Sequence, residues 1–244
     1  MILSMNTYKT INTKAKEANK IISGSILSFA INLILAILGG IAFLLFTKTT
    51  NGTYKFEPIS FMIATVLSII LIFTVMMWGP KMKVWVLAPL TTASMLLIGY
   101  TILGIVFLTY EIDGNIWKLM TLFFIPTAGM LIAGTLAFFN KINIGKISTV
   151  AIFGSIFLFI FAIVSWFVTS RILFTLISTL GIALVFLYMM IDWYIILKFN
   201  KHFNTLEPES QSKSEVAKWS LYFGYRLSYD FVIAISYLNN LLSR

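Results

Sequence analysis

The sequence has no cysteine, one histidine and few charged residues. The absence of cysteine excludes disulfides, thiolate metal sites and cysteine nucleophiles. Charged residues make up 11% of the 244 residues, against roughly 25% in soluble domains. Apolar residues reach 59%, with a mean hydropathy of +0.93. No water-soluble fold buries that much apolar surface, whereas helices in lipid leave it in hydrocarbon and satisfy their own backbone hydrogen bonds. We therefore predict an all-α integral membrane protein.

Seven stretches approach the length of about 20 apolar residues that a transmembrane helix needs. They follow a basic N-terminal segment, 1–21, and lie at about 22–46, 58–79, 84–109, 116–139, 147–169, 172–198 and 217–242. The first is too long for the core of a cleavable signal peptide, so we expect it to be retained. We predict one transmembrane domain, 22–244, with a polar cytoplasmic linker at 199–216.

The basic residues are distributed unequally between the two sets of alternate loops. One set, with the N-terminal segment, carries twelve: Lys9, Lys14, Lys16, Lys20, Lys81, Lys83, Lys141, Lys146, Lys198, Lys201, Lys213 and Lys218. The other set carries five: Lys48, Lys55, Lys118, Arg171 and Arg244. By the positive-inside rule the N-terminus is cytoplasmic and the C-terminus lies outside. Because the net charge of +9 lies in these short connections, we expect no nucleic-acid partner.

The seventh stretch is the least suited to lipid contact. From Trp219 onward it carries residues that need polar partners: Tyr222, Tyr225, Arg226, Ser228, Tyr229, Asp230, Ser236 and Asn239. Polar groups inside a membrane face the interior of a bundle. We therefore predict that six helices surround a central seventh.

Two aspartates lie within predicted spans, Asp192 in the sixth and Asp230 in the seventh. An acid at the bilayer centre costs about 2.5–3.5 kcal/mol on the insertion scale, so each needs a reason to be there. At 1.5 Å per residue, they lie about 9 and 16 Å below the cytoplasmic face, near enough to meet. Two carboxylates in a pocket of low dielectric share a proton, hold a cation or recruit a basic partner. Arg226, one turn before Asp230, is the nearest candidate.

Simpler interpretations stay open for both acids. Asp192 precedes Trp193 and Tyr194, which are typical of the membrane interface, so it fits the headgroup region as well. Asp230 with Arg226 at i, i+4 fits a structural ion pair that neutralises both charges.

Three stretches resemble the transmembrane BAX-inhibitor-motif family, which includes Bax-inhibitor-one, YccA and YetJ-like proteins. They are Ala137-Phe-Phe-Asn-Lys-Ile-Asn-Ile-Gly-Lys-Ile-Ser148, Ile191-Asp192-Trp-Tyr-Ile-Ile-Leu-Lys198 and Leu227-Ser-Tyr-Asp230-Phe-Val232. The family has similar patterns at the end of its fourth helix, in its sixth and in its last. The order and spacing of all seven spans agree with it.

The resemblance implies six helices around a central seventh and a di-aspartyl pH sensor, here Asp192 with Asp230, that gates a calcium leak. It also implies a transient Ca²⁺ contact at these two acids, with no resident cofactor. The chain departs from the family in three places. The linker between the two acids, 199–216, is longer than in bacterial members. Trp193-Tyr194 replaces the family's Thr-Gln, and no arginine lies between Pro58 and Pro80, so we assign the counter-charge to Arg226.

Three functions remain in competition. The leading prediction is a pH-sensitive passive calcium or cation leak in a bacterial inner membrane. The alternative is a non-transporting interaction protein, similar to YccA-like modulators of a membrane protease such as FtsH, that a partner grips at segments 1–21 and 199–216. The third is an intramembrane aspartyl protease, which is disfavoured because Leu-Ser-Tyr precedes Asp230 where such enzymes have Gly-x-Gly. We therefore expect no catalytic residues and no enzymatic activity.

Overall fold

The computed structural model describes residues 19–49, 52–139, 143–168, 170–205 and 212–243. These residues form long helices and no strand longer than a single bridge, Lys48 to Tyr54. In chain order the helices are α1 (Lys20–Thr47), α2 (Pro58–Trp78), α3 (Val84–Asp113), α4 (Ile116–Phe138), α5 (Ile144–Phe167), α6 (Arg171–Phe203) and α7 (Lys213–Leu242).

Six of these helices, α1 to α6, are long and apolar enough to cross a membrane. Most of their surface is exposed large apolar side chains such as Leu45, Phe124 and Trp166. A surface of this kind is stable in hydrocarbon and not in water. The chain is therefore an all-α, multi-pass membrane protein in a lipid bilayer. The seventh helix, α7, is long enough to cross a membrane, but it is more polar than the other six and is not identified as a membrane span by composition.

α7 is the most enclosed helix of the bundle. Fourteen of its 30 residues are buried, and its most extensive contacts are with α1 and α6, followed by α3 and α4. α2 packs mainly on α3, and α5 packs on α6. The described helices thus enclose α7 on four sides, while α2 and α5 lie towards the periphery.

α1 and α3 approach each other closely at two glycines. A Cβ on Gly99 would stand 1.9 Å from the backbone oxygen of Ala36, and one on Gly39 would stand 2.1 Å from the oxygen of Leu96. Small residues allow helix backbones to approach in this way in membranes. At this contact α3 changes to one π-helical turn, Gly99–Leu103.

The helix ends differ from the sequence-based boundaries around the predicted linker. α6 continues to Phe203, five residues beyond the expected end, and α7 begins at Lys213. Apolar and aromatic contacts stabilise the extra turns, since Phe199 stacks with Phe203 and lies against Trp219. Most of segment 1–21, and residues 206–211 of the linker, lie outside the described residues.

Candidate functional site

Asp192, Arg226 and Asp230 line one cavity of about 370 Å³ between α2, α6 and α7. α6 and α7 are consecutive and pack along each other, so Asp192 on one faces Arg226 on the other. The remaining walls are mostly apolar: Ile69, Ile72, Phe73, Met76, Tyr188 and Tyr229. The three sequence-predicted site residues are thus placed around a single space.

Arg226 forms an ion pair with Asp192. Its Nε donates to Asp192 Oδ2 at 3.0 Å, and its Nη2 donates to Oδ1 of the same carboxylate. Two parallel bonds between a guanidinium and a carboxylate give the strongest and most directional form of this contact. Asp192 is 3% exposed, while the Arg226 side chain is 24% exposed and also lies 5.9 Å from the ring centre of Tyr222.

Asp230 has no such partner. Its Oδ2 is buried and makes no hydrogen bond to any described residue. Arg226, four residues earlier on the same helix, turns its guanidinium towards α6 instead. The structure therefore contains one paired acid and one unpaired acid in the same cavity. Unpaired buried polar groups are uncommon in native proteins and each requires an explanation.

This geometry bears on one of the simpler interpretations made from sequence. The ion pair of Arg226 with Asp230 is not formed, because the guanidinium reaches the neighbouring helix. Asp192 lies eleven residues before the end of α6 at Phe203, about 17 Å along the helix at 1.5 Å per residue. Trp193 packs against Gly134 of α4, so its ring faces a neighbouring helix, and the headgroup interpretation of Asp192 stays a prediction.

A proline at the end of α2 leaves a carbonyl oxygen free to accept a hydrogen bond from α7 beside the cavity. In a helix the N–H of residue 80 would donate to the carbonyl of Met76, but Pro80 has no N–H. The free carbonyl oxygen of Met76 accepts a hydrogen bond from the Tyr222 hydroxyl at 3.3 Å. The ring of Tyr222 fills the space beside Gly79, where a Cβ would come within 2.8 Å of it.

A second cavity, of about 420 Å³, lies beyond the first along α2 and α7. Ile69, Ile72 and Tyr229 border both spaces. Its walls include hydroxyl and amide side chains from three helices: Thr65, Ser68, Thr101, Ser236, Asn239 and Asn240. Polar groups therefore continue from Asp230 towards the C-terminal end of α7.

The donor set suits a passing cation better than a resident one. Ca²⁺ takes six to eight oxygen ligands, and in the described part of the chain no three acidic or histidine side chains converge. Asp192 and Asp230 supply the carboxylate oxygens of the cavity. Both oxygens of Asp192 already accept hydrogen bonds from Arg226, whereas Asp230 Oδ2 has no partner among the described residues. Asp192 and Asp230 alone supply too few oxygens to complete a Ca²⁺ shell, and the transient contact with Ca²⁺ stays a prediction.

Sequence reasoning missed Tyr188 and the α2 wall of the cavity. Tyr188 lies one turn before Asp192 on α6, a spacing that places both on the same face, and it hydrogen-bonds Ser155 of α5 at 2.7 Å. The α2 residues carried no signal, because Ile69, Phe73 and Met76 are indistinguishable in type from residues that face lipid.

No protein-family model matches this chain, and no curated protein matches it with significance. The likeness to the BAX-inhibitor-motif family therefore stays a prediction from three short stretches.

Proposed function

We propose that the protein is a pH-sensitive passive cation leak, with calcium as the expected ion, gated by Asp192 and Asp230 and resembling the BAX-inhibitor-motif proteins. The observation that carries the proposal is the cavity in which Arg226 neutralises Asp192 while Asp230 has no partner. An unpaired acid in a membrane interior is a functional site by default, because its position has a cost that structure alone does not repay.

The charges of the cavity suit a cation when both acids are ionised. Arg226 and Asp192 cancel, so the net charge of the three groups is that of Asp230. In a space of low dielectric, one uncompensated negative charge attracts a cation strongly. When Asp230 takes up a proton, the net charge falls to zero and the attraction is lost.

The pH response therefore centres on Asp230 within a small set of ionisable neighbours. Those that line or face the cavity are Asp192, Arg226, Tyr188, Tyr222 and Tyr229. Arg226 lies one helical turn from Asp230, so it is within reach of either acid. A change in the proton on Asp230 alters which carboxylate the guanidinium prefers, and with it the contact that joins α6 to α7.

We place α7 as the seventh, central span, with the N-terminus in the cytoplasm and the C-terminus outside. The twelve-to-five distribution of basic residues between alternate loops supports this orientation. The acid cavity then belongs to the cytoplasmic half of the membrane. The second cavity and its hydroxyl and amide groups supply a polar continuation towards the outside.

The test is calcium flux against pH in proteoliposomes of the purified chain. We expect Asp230→Asn to lower the flux about tenfold or more, since it removes the uncompensated charge from a site of low dielectric. It should also abolish the dependence of the flux on pH. Asp192→Asn should change the flux and its pH profile by freeing Arg226.

Asp113→Asn is the matched control. Asp113 is an acid at the end of α3, paired with Lys118 at 2.8 Å and 43% exposed. Its replacement should leave flux and pH profile as in the parent chain. Unchanged flux and pH dependence in both cavity variants would overturn the assignment of the site.

A further inference from the structure

A third space, a cleft that neither acid lines, opens between α1 and α7 at the end of the bundle where both helices begin. Its volume is about 520 Å³. Lys20 and Lys213, the first residues of the two helices, stand at one end of it. The rest is formed by small and apolar side chains: Gly24, Leu27, Ser28, Ile31, Val216, Ala217, Ser220 and Leu221. None of these residues lines the acid cavity.

The cleft combines an apolar groove with an electropositive mouth. Leu27 and Ile31 are 64% and 50% exposed, so the groove opens towards hydrocarbon. From Lys20 to Ile31 it follows twelve residues of α1, or eleven steps of 1.5 Å and about 17 Å, which matches one leaflet of a hydrocarbon core about 30 Å thick. At the mouth, two lysine charges add to the positive ends of two helix dipoles.

A buried hydroxyl in the wall of the cleft lacks a partner. Ser220 is 6% exposed, and its Oγ makes no hydrogen bond to any described residue. It faces Gly24 across the junction of the two helices, where a Cβ on that glycine would come within 2.2 Å of it. The cleft thus contains an unused polar group below the two lysines.

We propose that this cleft binds an anionic phospholipid, with the headgroup phosphate at Lys20 and Lys213 and an acyl chain in the groove. A phosphate is the natural ligand of paired lysines and helix N-termini. The apolar groove favours a lipid over a free anion, because a small ion would leave the groove unfilled.

Native mass spectrometry of the full chain in detergent tests the proposal with two lipids of identical acyl chains, phosphatidylglycerol and phosphatidylcholine. We expect a clear preference for phosphatidylglycerol. The double variant Lys20→Gln/Lys213→Gln should weaken phosphatidylglycerol binding about 25-fold, at about fivefold per lysine, and weaken phosphatidylcholine binding much less, because the choline cation already offsets the charge of that phosphate.

The matched control is Lys146→Gln/Lys201→Gln, which removes two exposed lysines from the same set of loops but outside the cleft. It should retain the preference. An equal loss in the control would show that only the overall charge of this face matters. No preference in the parent chain would show that the anionic headgroup is not recognised, and either result would overturn the proposal.

Two further measurements separate a lipid from other occupants. Ala217→Trp fills the groove and keeps both lysines, so it should weaken phosphatidylglycerol binding, whereas full binding would place the acyl chains elsewhere. Excess inorganic phosphate should not displace the lipid, and displacement would identify a simple anion site. Calcium flux reports on Asp192 and Asp230 alone, so failure here is distinguishable from failure of the leak.

Discussion

α7 and α5 are both long helices of one membrane domain, yet they are built in opposite ways. α7 buries fourteen of its 30 residues and contains Arg226, Tyr229 and Asp230. α5 buries one of its 24 residues, Ala151, and contacts chiefly α6. In water, the polar helix would lie outside and the apolar helix inside. Here the order is reversed because hydrocarbon is the outer solvent.

The difference shows where specificity lies in this fold. Most side chains of α5 are exposed, so many substitutions of one apolar residue for another there meet only lipid and are weakly constrained by packing. α7 must accommodate hydroxyl, guanidinium and carboxyl groups inside the bundle. Tyr222, Tyr225 and Arg226 have partners on α2, α3 and α6, whereas Asp230 has no hydrogen-bond partner among the described residues. Substitutions on α7 should therefore have larger effects than comparable changes at the periphery.

The largest effect is expected at the ion pair. Arg226→Gln leaves Asp192 buried without its counter-charge, and removing one partner of a buried pair costs about 3–5 kcal/mol. Unfolding of the purified protein in detergent measures this loss. The double variant Asp192→Asn/Arg226→Gln removes both charges and should recover most of it.

Lys118→Gln provides the comparison at the surface. It breaks the contact with Asp113, which is 2.8 Å long and partly exposed, so we expect a loss below about 1 kcal/mol. If Arg226→Gln proved no more damaging than Lys118→Gln, the Asp192 carboxylate would have to be hydrated, and the dry cavity inferred for it would be wrong.

A smaller effect is expected from one added methyl group at a glycine of each helix. A Cβ on Gly224 of α7 would come within 2.4 Å of Ser28 Cβ and 2.7 Å of the backbone nitrogen of Phe29. Gly224→Ala should thus destabilise the protein by about 1–3 kcal/mol through overpacking.

The same change in α5 should have the opposite sign. The nearest atom to a Cβ on Gly145 is Asn143 Oδ1 at 3.6 Å, an ordinary contact. Gly145→Ala is therefore expected to be neutral or to stabilise the helix by up to about 1 kcal/mol through propensity. Comparison of the two midpoints of unfolding measures the contrast, and equal midpoints would contradict the close approach of α1 to α7.

The sequence was sufficient to predict the helices and the interior position of α7. Runs of Ile, Leu and Phe identify α1 to α6 by length and composition alone. The polar residues after Trp219 have no stable place in lipid, which predicts an enclosed helix without knowledge of its neighbours. The placement of Asp192 and Asp230 around one cavity followed from their similar depth on consecutive helices.

The partner of Arg226 was beyond sequence reasoning. Spacing along one helix favours Asp230 at i, i+4, whereas the choice of Asp192 depends on how α6 and α7 are rotated about their axes. The cavity wall on α2 and the bond from Tyr222 to Met76 depend on tertiary packing in the same way. The cleft at Lys20 and Lys213 joins residues almost two hundred positions apart, so no local pattern indicates it.

The smallest of the three stability effects concerns two hydrogen bonds of equal length in different surroundings. Tyr225 on α7 and Ser94 on α3 are fully buried and joined at 2.7 Å, while Tyr188 and Ser155 are joined at the same distance at the exposed side of α5. Hydrogen bonds between membrane helices contribute about 0.6 kcal/mol on average and up to about 1.7.

The loss of stability in Tyr225→Phe should lie near the upper value, because Ser94 is left without water or another partner. The loss in Tyr188→Phe should lie near the average value or below it. A double-mutant cycle with Ser94→Ala and Ser155→Ala isolates each bond. Equal coupling energies would mean that enclosure within the bundle does not strengthen polar contacts in this protein, and that the contrast between α7 and α5 is one of packing alone.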